Sequence, residues 1–462
     1  MKRRDFIKAF GTGATAVAVA ACTGKTPAPE AARKEPGAMT CRKSPQGDDV
    51  SLLGYGCMRW PTVTDAEGKS VIDQEQVNAL VDYAIEHGVT YFDTAPMYGQ
   101  GESERVTGIA LSRHPRTAYT IATKLSNQRT DWSKETALKM YRHSFEALQV
   151  DYIDYYLLHS VGGSNDQMGS MEVLKRRFFD NGLLDFLRKE REAGRIRNLG
   201  FSFHGDQQVF DYLLSLMDAQ PAGERPLWDF VQIQMNYVDW NNAQSRSEHE
   251  VNASYLYGEL DRRGIPVVIM EPLLGGRLAN LPDHAVKQLL TRTPGASPAS
   301  WAFRFCGSHP RVLTVLSGMT YMEHLQDNLS TFCPLEPLSD SDYALLEEIA
   351  GDYVKYPLVP CTDCKYCMPC PWGVDIPGVF AHYNKCVNEG FIDEDRQSPG
   401  YRKARRAYLV SLDKSLDKLR QADHCIGCGH CVHACPQRIA IPRQLRRIEE
   451  YTETLRRDQS PL

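Results

Sequence analysis

The sequence predicts an α/β protein: a (β/α)8 TIM barrel followed by a smaller, mainly helical 4Fe-4S dicluster domain. Three observations predict it. Short apolar runs alternate eight times with amphipathic stretches, the pattern of βα units on a parallel sheet. No G-x-G-x-x-G follows the first run, so an open doubly wound sheet would lack its phosphate turn. Beyond residue 360 the pattern is helical, and eight cysteines fall in two short runs.

The predicted strands are apolar runs, several of which end at polar residues. They cover residues 53–57, 90–94, 119–124, 153–159, 198–203, 230–236, 267–271 and 312–317. Between them, residues 73–87, 134–148 and 174–193 have helical periodicity. Gly88 and Gly194 follow the first and third of these segments, and glycine commonly ends a helix. Eight consecutive βα units favour a closed barrel.

The predicted domain boundaries follow changes in composition. Residues 1–37 form a signal peptide and a flexible tether, 38–340 the barrel, 341–360 a helix (341–353) with a proline-rich linker, and 361–462 the cysteine-rich domain. In that last domain, helical patterns cover residues 379–388 and 401–419. The chain of 462 residues has a formal net charge of −5, which argues against a nucleic-acid partner.

The N-terminal segment has the features of an export signal. Its basic start contains Arg3 and Arg4, and a weakly apolar, alanine-rich stretch follows that is too short for a mature membrane helix. The string RRDFIK resembles the twin-arginine signal, whose pathway carries proteins already folded around their cofactors. The stretch that ends at Cys22 resembles a lipoprotein cleavage site, although Cys22 could also be a small residue beside an ordinary one. We therefore expect export by the twin-arginine route to the periplasmic side of the membrane, with a lipid anchor at Cys22.

Two cysteine runs near the C-terminus have the spacing of iron–sulfur ligands. They are Cys361, Cys364, Cys367 and Cys370 before Pro371, and Cys425, Cys428, Cys431 and Cys435 before Pro436. In two-cluster ferredoxins, the cysteine before proline ligates the other cluster. The predicted sets are therefore crossed, with Cys435 completing the first cluster and Cys370 the second. Structural zinc and disulfides are the alternatives, but disulfides do not account for proline after both runs, and zinc rarely takes four cysteines in ten residues.

Four polar residues lie at or just beyond the ends of the second, third and fourth predicted strands, where a barrel collects its catalytic groups. They are Asp93 and Tyr98 in YFDTAPMYG, Lys124 in IATK, and His159 in YYLLH. Each alone has an ordinary structural interpretation, such as a capping carboxylate or a solvated lysine. Together they resemble the catalytic tetrad of the aldo-keto reductases, and the resemblance extends from about Cys41 to Phe332.

The chemistry of carbonyl reduction explains these residue types. Hydride addition leaves an alkoxide that needs a proton, and a tyrosine with its ordinary pKa of about 10 is a poor donor near neutrality. An ammonium beside the phenol favours the phenolate and lowers that pKa. Tyr98 is therefore assigned as general acid/base, Lys124 as its tuner, Asp93 as the group that orients Lys124, and His159 as a donor to the substrate oxygen.

The resemblance also implies a bound NADP or NAD. The residues that would hold it by similarity are Gly56, Met58, Arg59, Ser202, Gln232, Leu273, Gly275, Gly276, Arg277, His324 and Asn328. Ser202 and Gln232 match the clamp on the carboxamide, where Phe203 replaces the usual asparagine. Gly318 and His324 stand where basic residues often meet the 2′-phosphate. The usual cofactor of the family thus favours NADP, whereas the lack of Lys or Arg at these two positions does not.

The leading functional prediction is an oxidoreductase that interconverts a small-molecule carbonyl and an alcohol with NAD(P)(H), carries two 4Fe-4S clusters and exchanges electrons with a redox partner protein. The alternative is an electron-transfer or redox-sensing protein whose barrel binds nucleotide with little turnover. It is motivated by electron count, because such a cluster passes one electron whereas nicotinamide takes a hydride. In a third interpretation the clusters are purely structural.

Overall fold

The computed structural model describes residues 37–127, 131–164, 168–245 and 250–458. The barrel and the C-terminal module belong to one compact unit. None of the described helices is long and apolar enough to cross a membrane. The predicted signal peptide, with Arg3, Arg4 and Cys22, lies outside the described residues.

The predicted (β/α)8 barrel is confirmed. Eight parallel strands pair in chain order, and the pairing of neighbours closes the sheet into a barrel. The strands are β1 (Leu53–Gly56), β2 (Tyr91–Asp93), β3 (Thr120–Leu125), β4 (Ile153–Val161), β5 (Ile196–Phe203), β6 (Phe230–Gln234), β7 (Val267–Met270) and β8 (Val312–Ser317). They are buried almost throughout because helices cover the barrel on the outside, which explains their near-continuous apolar character.

Amphipathic helices surround the barrel. They are α1 (Gln74–Glu86), α2 (Ser103–Leu111), α3 (Lys134–Leu148), α4 (Ser170–Leu174), α5 (Leu183–Glu192), α6 (Gln207–Asp218), α7 (Asp239–Asn242), α8 (Ala253–Arg262), α9 (Asp283–Arg292), α10 (Pro298–Gly307), α11 (Met322–Phe332) and α12 (Asp340–Tyr353). Helix α1 illustrates the rule: the Asp73 carboxylate caps its first turn, and Val77, Leu80, Val81 and Ala84 form its buried face.

The predicted continuous helix 174–193 is wrong, because the structure divides it. A π-helical turn (Lys175–Phe179) follows α4, and Gly182 breaks the chain at φ +67°, a value that glycine adopts without strain. The turn carries Arg177 into the interior, where its guanidinium donates to the carbonyls of His159 and Ser160. The break in the helix thus places Arg177 beside the backbone of His159, and helical periodicity alone cannot reveal this placement.

Two short antiparallel hairpins were not expected from the sequence. Strand Cys41–Lys43 pairs with Asp49–Ser51, and Thr62–Thr64 pairs with Ser70–Ile72. The first hairpin is fixed to the chain ahead of β8, because Arg42 donates to the carbonyls of Gly307, His309 and Val312. These strands are three residues each, too short for an alternating pattern to be recognised.

The C-terminal module is mainly helical, as predicted. It contains α13 (Ile376–Asn388), α14 (Tyr401–Ser415) and α15 (Ile441–Arg457). Helix α14 ends at Ser415, before its predicted end at residue 419, and a separate short turn (Lys418–Arg420) follows it. The side chains of Phe380, Tyr408 and Ile448, one from each helix, lie in a common buried core.

Candidate active site

The structure brings the four predicted catalytic residues together at the C-terminal ends of β2, β3 and β4. Lys124 Nζ lies 2.5 Å from Asp93 Oδ1 and 2.8 Å from the Thr94 carbonyl oxygen. The same nitrogen is 4.8 Å from the centre of the Tyr98 ring. The rings of Tyr98 and His159 meet edge to face, with their centres 5.9 Å apart. The ammonium, the phenol and the imidazole therefore converge on one small region.

The Asp93–Lys124 pair is buried. Burial raises the pKa of Asp93, while the charge and the hydrogen bond of Lys124 act to lower it. Gln232 adds a hydrogen bond to the other carboxylate oxygen, at 3.2 Å. A buried charge is tolerated when it is paired and hydrogen-bonded, so these contacts hold Lys124 in one position.

The pKa of Tyr98 is raised above its ordinary value, first by burial and then by the charge of Asp93. A side-chain hydrogen bond with Tyr366, a residue of the C-terminal module, acts in the opposite direction. The Lys124 ammonium, which lies near the Tyr98 ring, also hydrogen-bonds to Asp93 and to the Thr94 carbonyl. Tyr98 is accordingly a protonated phenol near neutral pH, the form that can donate a proton.

His159 is held as a neutral imidazole. Burial lowers its pKa, and the charges of Lys124 and Arg177 lower it further. Its Nδ1 lies 2.5 Å from Ser126 Oγ. When that hydroxyl donates to Nδ1, Nε2 carries the hydrogen and can donate to a substrate oxygen.

Ser126 and Arg177 were missed by the sequence reasoning. Ser126 stands two residues after Lys124, so the two-residue period of strand β3 could have placed both side chains on the same face of the strand. Arg177 has no comparable signal, because its inward direction depends on the π-helical turn.

Two groups of residues assigned to the dinucleotide, in the loop after the first strand and in the segment over the pyrophosphate, surround the mouth of the barrel. They are Gly56 at the end of β1, Met58 and Arg59 in the turn Cys57–Arg59, and Leu273, Gly275, Gly276 and Arg277 after β7. Gly275 and Gly276 have φ values of +71° and +92°. Arg277 Nη2 is buried and has no hydrogen-bond partner among the described residues. Guanidinium groups beside a glycine turn suit a phosphate anion, so this donor set fits a dinucleotide chemically.

The residues assigned to the carboxamide have partners inside the barrel. Ser202 Oγ accepts the Ser160 N–H at 2.8 Å, and the Gln232 amide donates to Asp93. Phe203, which stands in place of the usual asparagine, is buried and packs against Phe210. The clamp therefore has two polar members.

The two residues of the adenosine loop differ in environment. Asn328 is buried on α11, where its amide donates to Ser317 Oγ at 2.8 Å. His324 is exposed one turn earlier and packs edge to face against Tyr321, at 5.2 Å between ring centres. Of these two residues, His324 is the one whose side chain is exposed to solvent.

The C-terminal module lies directly over the mouth. Asp363 forms an ion pair with Arg59, Oδ2 to Nη1 at 3.2 Å, and the Thr362 carbonyl accepts a second hydrogen bond from Arg59. Thr362 also packs on the glycine turn so closely that a Cβ on Gly275 would lie 2.4 Å from Thr362 Cα. Arg59 and Gly275, two of the residues assigned to the dinucleotide, are therefore covered by the module.

A second part of the module contacts the opposite side of the mouth. Arg438 donates to Asp206 Oδ1 at 2.7 Å and to the Gly162 carbonyl at 2.8 Å. Gln437 donates to Gln234 Oε1 at 3.0 Å. These residues follow Cys435, so residues within the first cysteine run and residues just after the second both help to attach the module to the barrel.

Glu271, considered from the sequence as an additional site residue, lies at this mouth. Its backbone has φ +55°, a left-handed value that is uncommon outside glycine. Burial raises the pKa of its carboxylate, whereas the charges of Arg59 and Arg277 and the Gly275 N–H act to lower it. A carboxylate thus already lies beside the glycine turn.

The eight predicted ligand cysteines form two groups. The mouth set, defined as Cys361, Cys364, Cys367 and Cys435, is joined by the mutual effect of these thiols on their pKa values. In the outer set, the pKa of Cys431 responds to Cys425, Cys370 and Cys428. The crossed ligand sets predicted from the sequence have the same members, and they stay a prediction.

The two sets differ in their surroundings. The charge of Arg277 acts on the pKa of Cys361, and the charges of Glu271 and Arg59 act on the pKa of Cys364. The mouth set therefore faces the barrel. Cys428 of the outer set is exposed. No three described His, Cys, Asp or Glu side chains converge closely enough to share one metal ion.

The thiols of the mouth set would have to lose their protons to bind iron. Burial is the main cause that raises the pKa of Cys361 and of Cys435 to about 12. The Asp363 N–H donates to Cys361 Sγ at 3.4 Å, a contact of the type that tunes cluster sulfur. Iron binding therefore has to displace protons, and a metal ion supplies the positive charge that favours the thiolate.

Comparison with known proteins agrees with both parts of this architecture. A profile of the aldo/keto reductase family matches residues 52–350, and a profile of a 4Fe-4S dicluster domain matches residues 360–441. L-galactose dehydrogenase of Arabidopsis thaliana is 26% identical over 322 residues, which are 65% of this chain and 90% of that protein.

Solved structures match the barrel. A holo aldo-keto reductase from Bacillus halodurans superposes with a TM-score of 0.50 at 24% identity, over 67% of this chain and 96% of that chain. An aldo/keto reductase from Klebsiella pneumoniae in complex with NADP and acetate has a TM-score of 0.50 at 21% identity, over 68% and 96%. The family profile covers more than half of the sequence, and the chain therefore belongs to the aldo/keto reductase family of oxidoreductases.

Proposed function

We propose that the protein interconverts a carbonyl and an alcohol by hydride transfer with NADP(H) or NAD(H), and that it carries two 4Fe-4S clusters for electron transfer. The observation that carries this proposal is the Asp93–Lys124 ion pair, at 2.5 Å, set 4.8 Å from the Tyr98 ring and beside His159. The nucleotide would supply or accept the hydride. The chain itself supplies the proton and the groups that polarise the substrate.

Each residue of the tetrad has a separate task. The Tyr98 phenol gives its proton to the alkoxide, and the Lys124 ammonium stabilises the phenolate that remains. Asp93 keeps the ammonium in place, and neutral His159 donates from Nε2 to the carbonyl oxygen. In alcohol oxidation the same groups act in reverse, and the phenolate removes the hydroxyl proton.

The two cysteine sets would supply a route for electrons between the mouth of the barrel and the protein surface. The mouth set would hold the cluster nearer Tyr98, and the outer set would hold the cluster nearer solvent. In the module, Trp372, Leu419 and Ile426 present 52%, 72% and 60% of their surface, and Ile426 stands two residues before the exposed Cys428. A redox partner protein that carries single electrons would meet the module at these apolar side chains.

A second function is favoured by the position of the module. Because residues 361–367 cover the glycine turn and contact Tyr98, the barrel could bind nucleotide with little turnover and act in electron transfer or redox sensing. Reductive titration followed by EPR separates the two functions. Reduced clusters that are reoxidised on addition of carbonyl and oxidised nucleotide support a coupled enzyme. Reduced clusters whose EPR signal is unchanged by both additions support the second function.

The catalytic proposal is tested with protein purified anaerobically and assayed for iron, sulfide and nucleotide. We expect Tyr98→Phe to lower kcat for carbonyl reduction about 10²–10⁴-fold while iron content is unchanged, because the proton donor is lost. Tyr83→Phe, on the outer helix α1, is the matched control. A broad panel of carbonyls and alcohols on which wild type and Tyr98→Phe behave identically would contradict the proposal.

We further propose export by the twin-arginine route, with a lipid on Cys22. Replacing both Arg3 and Arg4 with lysine should retain the protein in the cytoplasm, because that pathway reads the arginine pair. Cys22→Ser should be exported but released from the membrane fraction, because the thiol that carries the lipid is absent. Cell fractionation and intact mass measure both results. Membrane retention of Cys22→Ser would argue against the anchor without touching the export route.

A further inference from the structure

The loop of residues 361–367, named the plug loop here, touches two groups that the proposed reaction uses. Asp363 pairs with Arg59 at 3.2 Å, and the side chains involved are 42% and 28% exposed. Tyr366 lies beside Tyr98 and acts to lower the pKa of its phenol. In both contacts, a polar group of the module satisfies a polar group of the barrel.

On the anion side, the plug loop and its neighbour Glu271 neutralise the mouth. Asp363 places a carboxylate on Arg59, and Glu271 places another beside the Gly275 N–H. The backbone of Thr362 then closes the space over Gly275. A dinucleotide held by Arg59 and the glycine turn cannot bind there while these contacts persist.

On the substrate side, Tyr366 lies beside the Tyr98 phenol, whose pKa it acts to lower. A carbonyl oxygen that receives the Tyr98 proton has to lie about 2.6–3.2 Å from that phenol. The Tyr366 side chain therefore fills space that a substrate oxygen needs. The docked loop therefore occupies positions that both the dinucleotide and the carbonyl would use.

We propose that the plug loop and the ligands of the reaction are alternative occupants of the mouth. The loop has to withdraw from Arg59 and Tyr98 before a dinucleotide and a carbonyl bind. This inference rests on the proposed function, since it takes the dinucleotide and the carbonyl as the ligands. Because the loop carries three thiols of the mouth set, the docked form brings that set to Tyr98 and the open form admits nucleotide. By linkage, whatever favours docking weakens nucleotide binding, and nucleotide weakens docking to the same degree.

Equilibrium binding of NADPH to the full-length, cluster-loaded protein tests the proposal. We expect Asp363→Asn to tighten binding about three- to tenfold, because a partly exposed ion pair that holds the plug is lost. Arg438→Ala should tighten binding in the same direction, although Arg438 touches none of the residues assigned to the nucleotide. Glu453→Gln, which removes surface ion pairs on α15, is the control and should leave binding unchanged. Iron content is measured for each variant.

Hydrogen exchange provides a second measurement on the wild-type protein. Saturating NADPH should accelerate amide exchange in residues 361–367, because bound nucleotide displaces them. Tighter binding in Asp363→Asn but not in Arg438→Ala would mean that Asp363 acts locally and would overturn withdrawal of the loop. Unchanged or slower exchange in the plug loop on saturation would overturn it as well. If wild type turns over through Tyr98 and none of these shifts occurs, the plug fails while the proposed function stands; if no variant binds NADPH and Tyr98→Phe is silent, both fail.

Discussion

Lys124→Met is expected to lower kcat about 10²–10⁴-fold and to destabilise the barrel by about 3–5 kcal/mol. Both effects follow from one nitrogen. Lys124 Nζ bonds to Asp93 and to the Thr94 carbonyl, and its side chain is 1% exposed. Methionine fills much of the same volume but leaves the Asp93 carboxylate buried without a cation. It also leaves no positive charge near the Tyr98 phenolate.

The stability loss in Lys124→Met should depend on pH in a defined direction. Burial already raises the pKa of Asp93 in the folded protein, and removing Lys124 raises it further. Above its ordinary pKa, the folded state then binds more protons at Asp93 than the unfolded state, so stability falls as pH rises through the raised folded pKa. The deficit should therefore be smallest in mild acid. Anaerobic thermal unfolding of wild type and variant at pH 5.5 and pH 8 measures this difference.

Two controls separate structure from catalysis in this experiment. Lys43→Met removes a lysine whose ion pair with Asp49, at 3.0 Å, is exposed, and it should change neither stability nor kcat measurably. The double variant Lys124→Met/Asp93→Asn removes the unpaired charge, so much of the lost stability should return while kcat stays low. Recovery of turnover in the double variant would show that Lys124 has only a structural role.

The sequence was sufficient for the barrel because its signal is local and repeated. All eight strands lie where their apolar runs predict, and Lys134–Leu148 forms the predicted helix. Periodicity failed where a tertiary contact determines the backbone, as at Gly182 and the turn that carries Arg177 inward. There the side chain is stabilised by carbonyls that no neighbouring residue in the sequence reveals.

The site was predictable to the extent that it lies on single strands. Asp93, Lys124 and His159 could be placed because parallel strands bring their C-terminal ends together. The positions of Tyr366 beside Tyr98 and of the Asp363 carboxylate on Arg59 could not be predicted, because each pair joins residues more than 260 positions apart across two domains. A motif locates a residue within its own fold unit, whereas the docking of one unit on another depends on complementary surfaces that have no sequence period.

Cys435→Ala is expected to remove the cluster of the mouth set, even though Cys435 belongs to the second run. Iron should fall from about eight to about four atoms per chain, because a cubane that loses one of four thiolates is commonly lost or converted. Cys370→Ala should remove the other cluster in the same way. The buried Cys386, in the module but outside both sets, supplies the control: Cys386→Ser should retain both clusters.

The residual EPR spectrum identifies which cluster survives in each variant. If the ligand sets are crossed, Cys435→Ala and Cys361→Ala leave the same cluster and give the same spectrum, and Cys370→Ala matches Cys425→Ala. If each run binds its own cluster, Cys435→Ala instead matches Cys425→Ala, which would contradict the grouping of thiols in the structure. The mouth-set variants should also bind NADPH more tightly than the outer-set variants, because only the former loosen the plug loop. Iron loss and tighter NADPH binding would then occur together in the mouth-set variants. The outer-set variants would lose iron without binding NADPH more tightly.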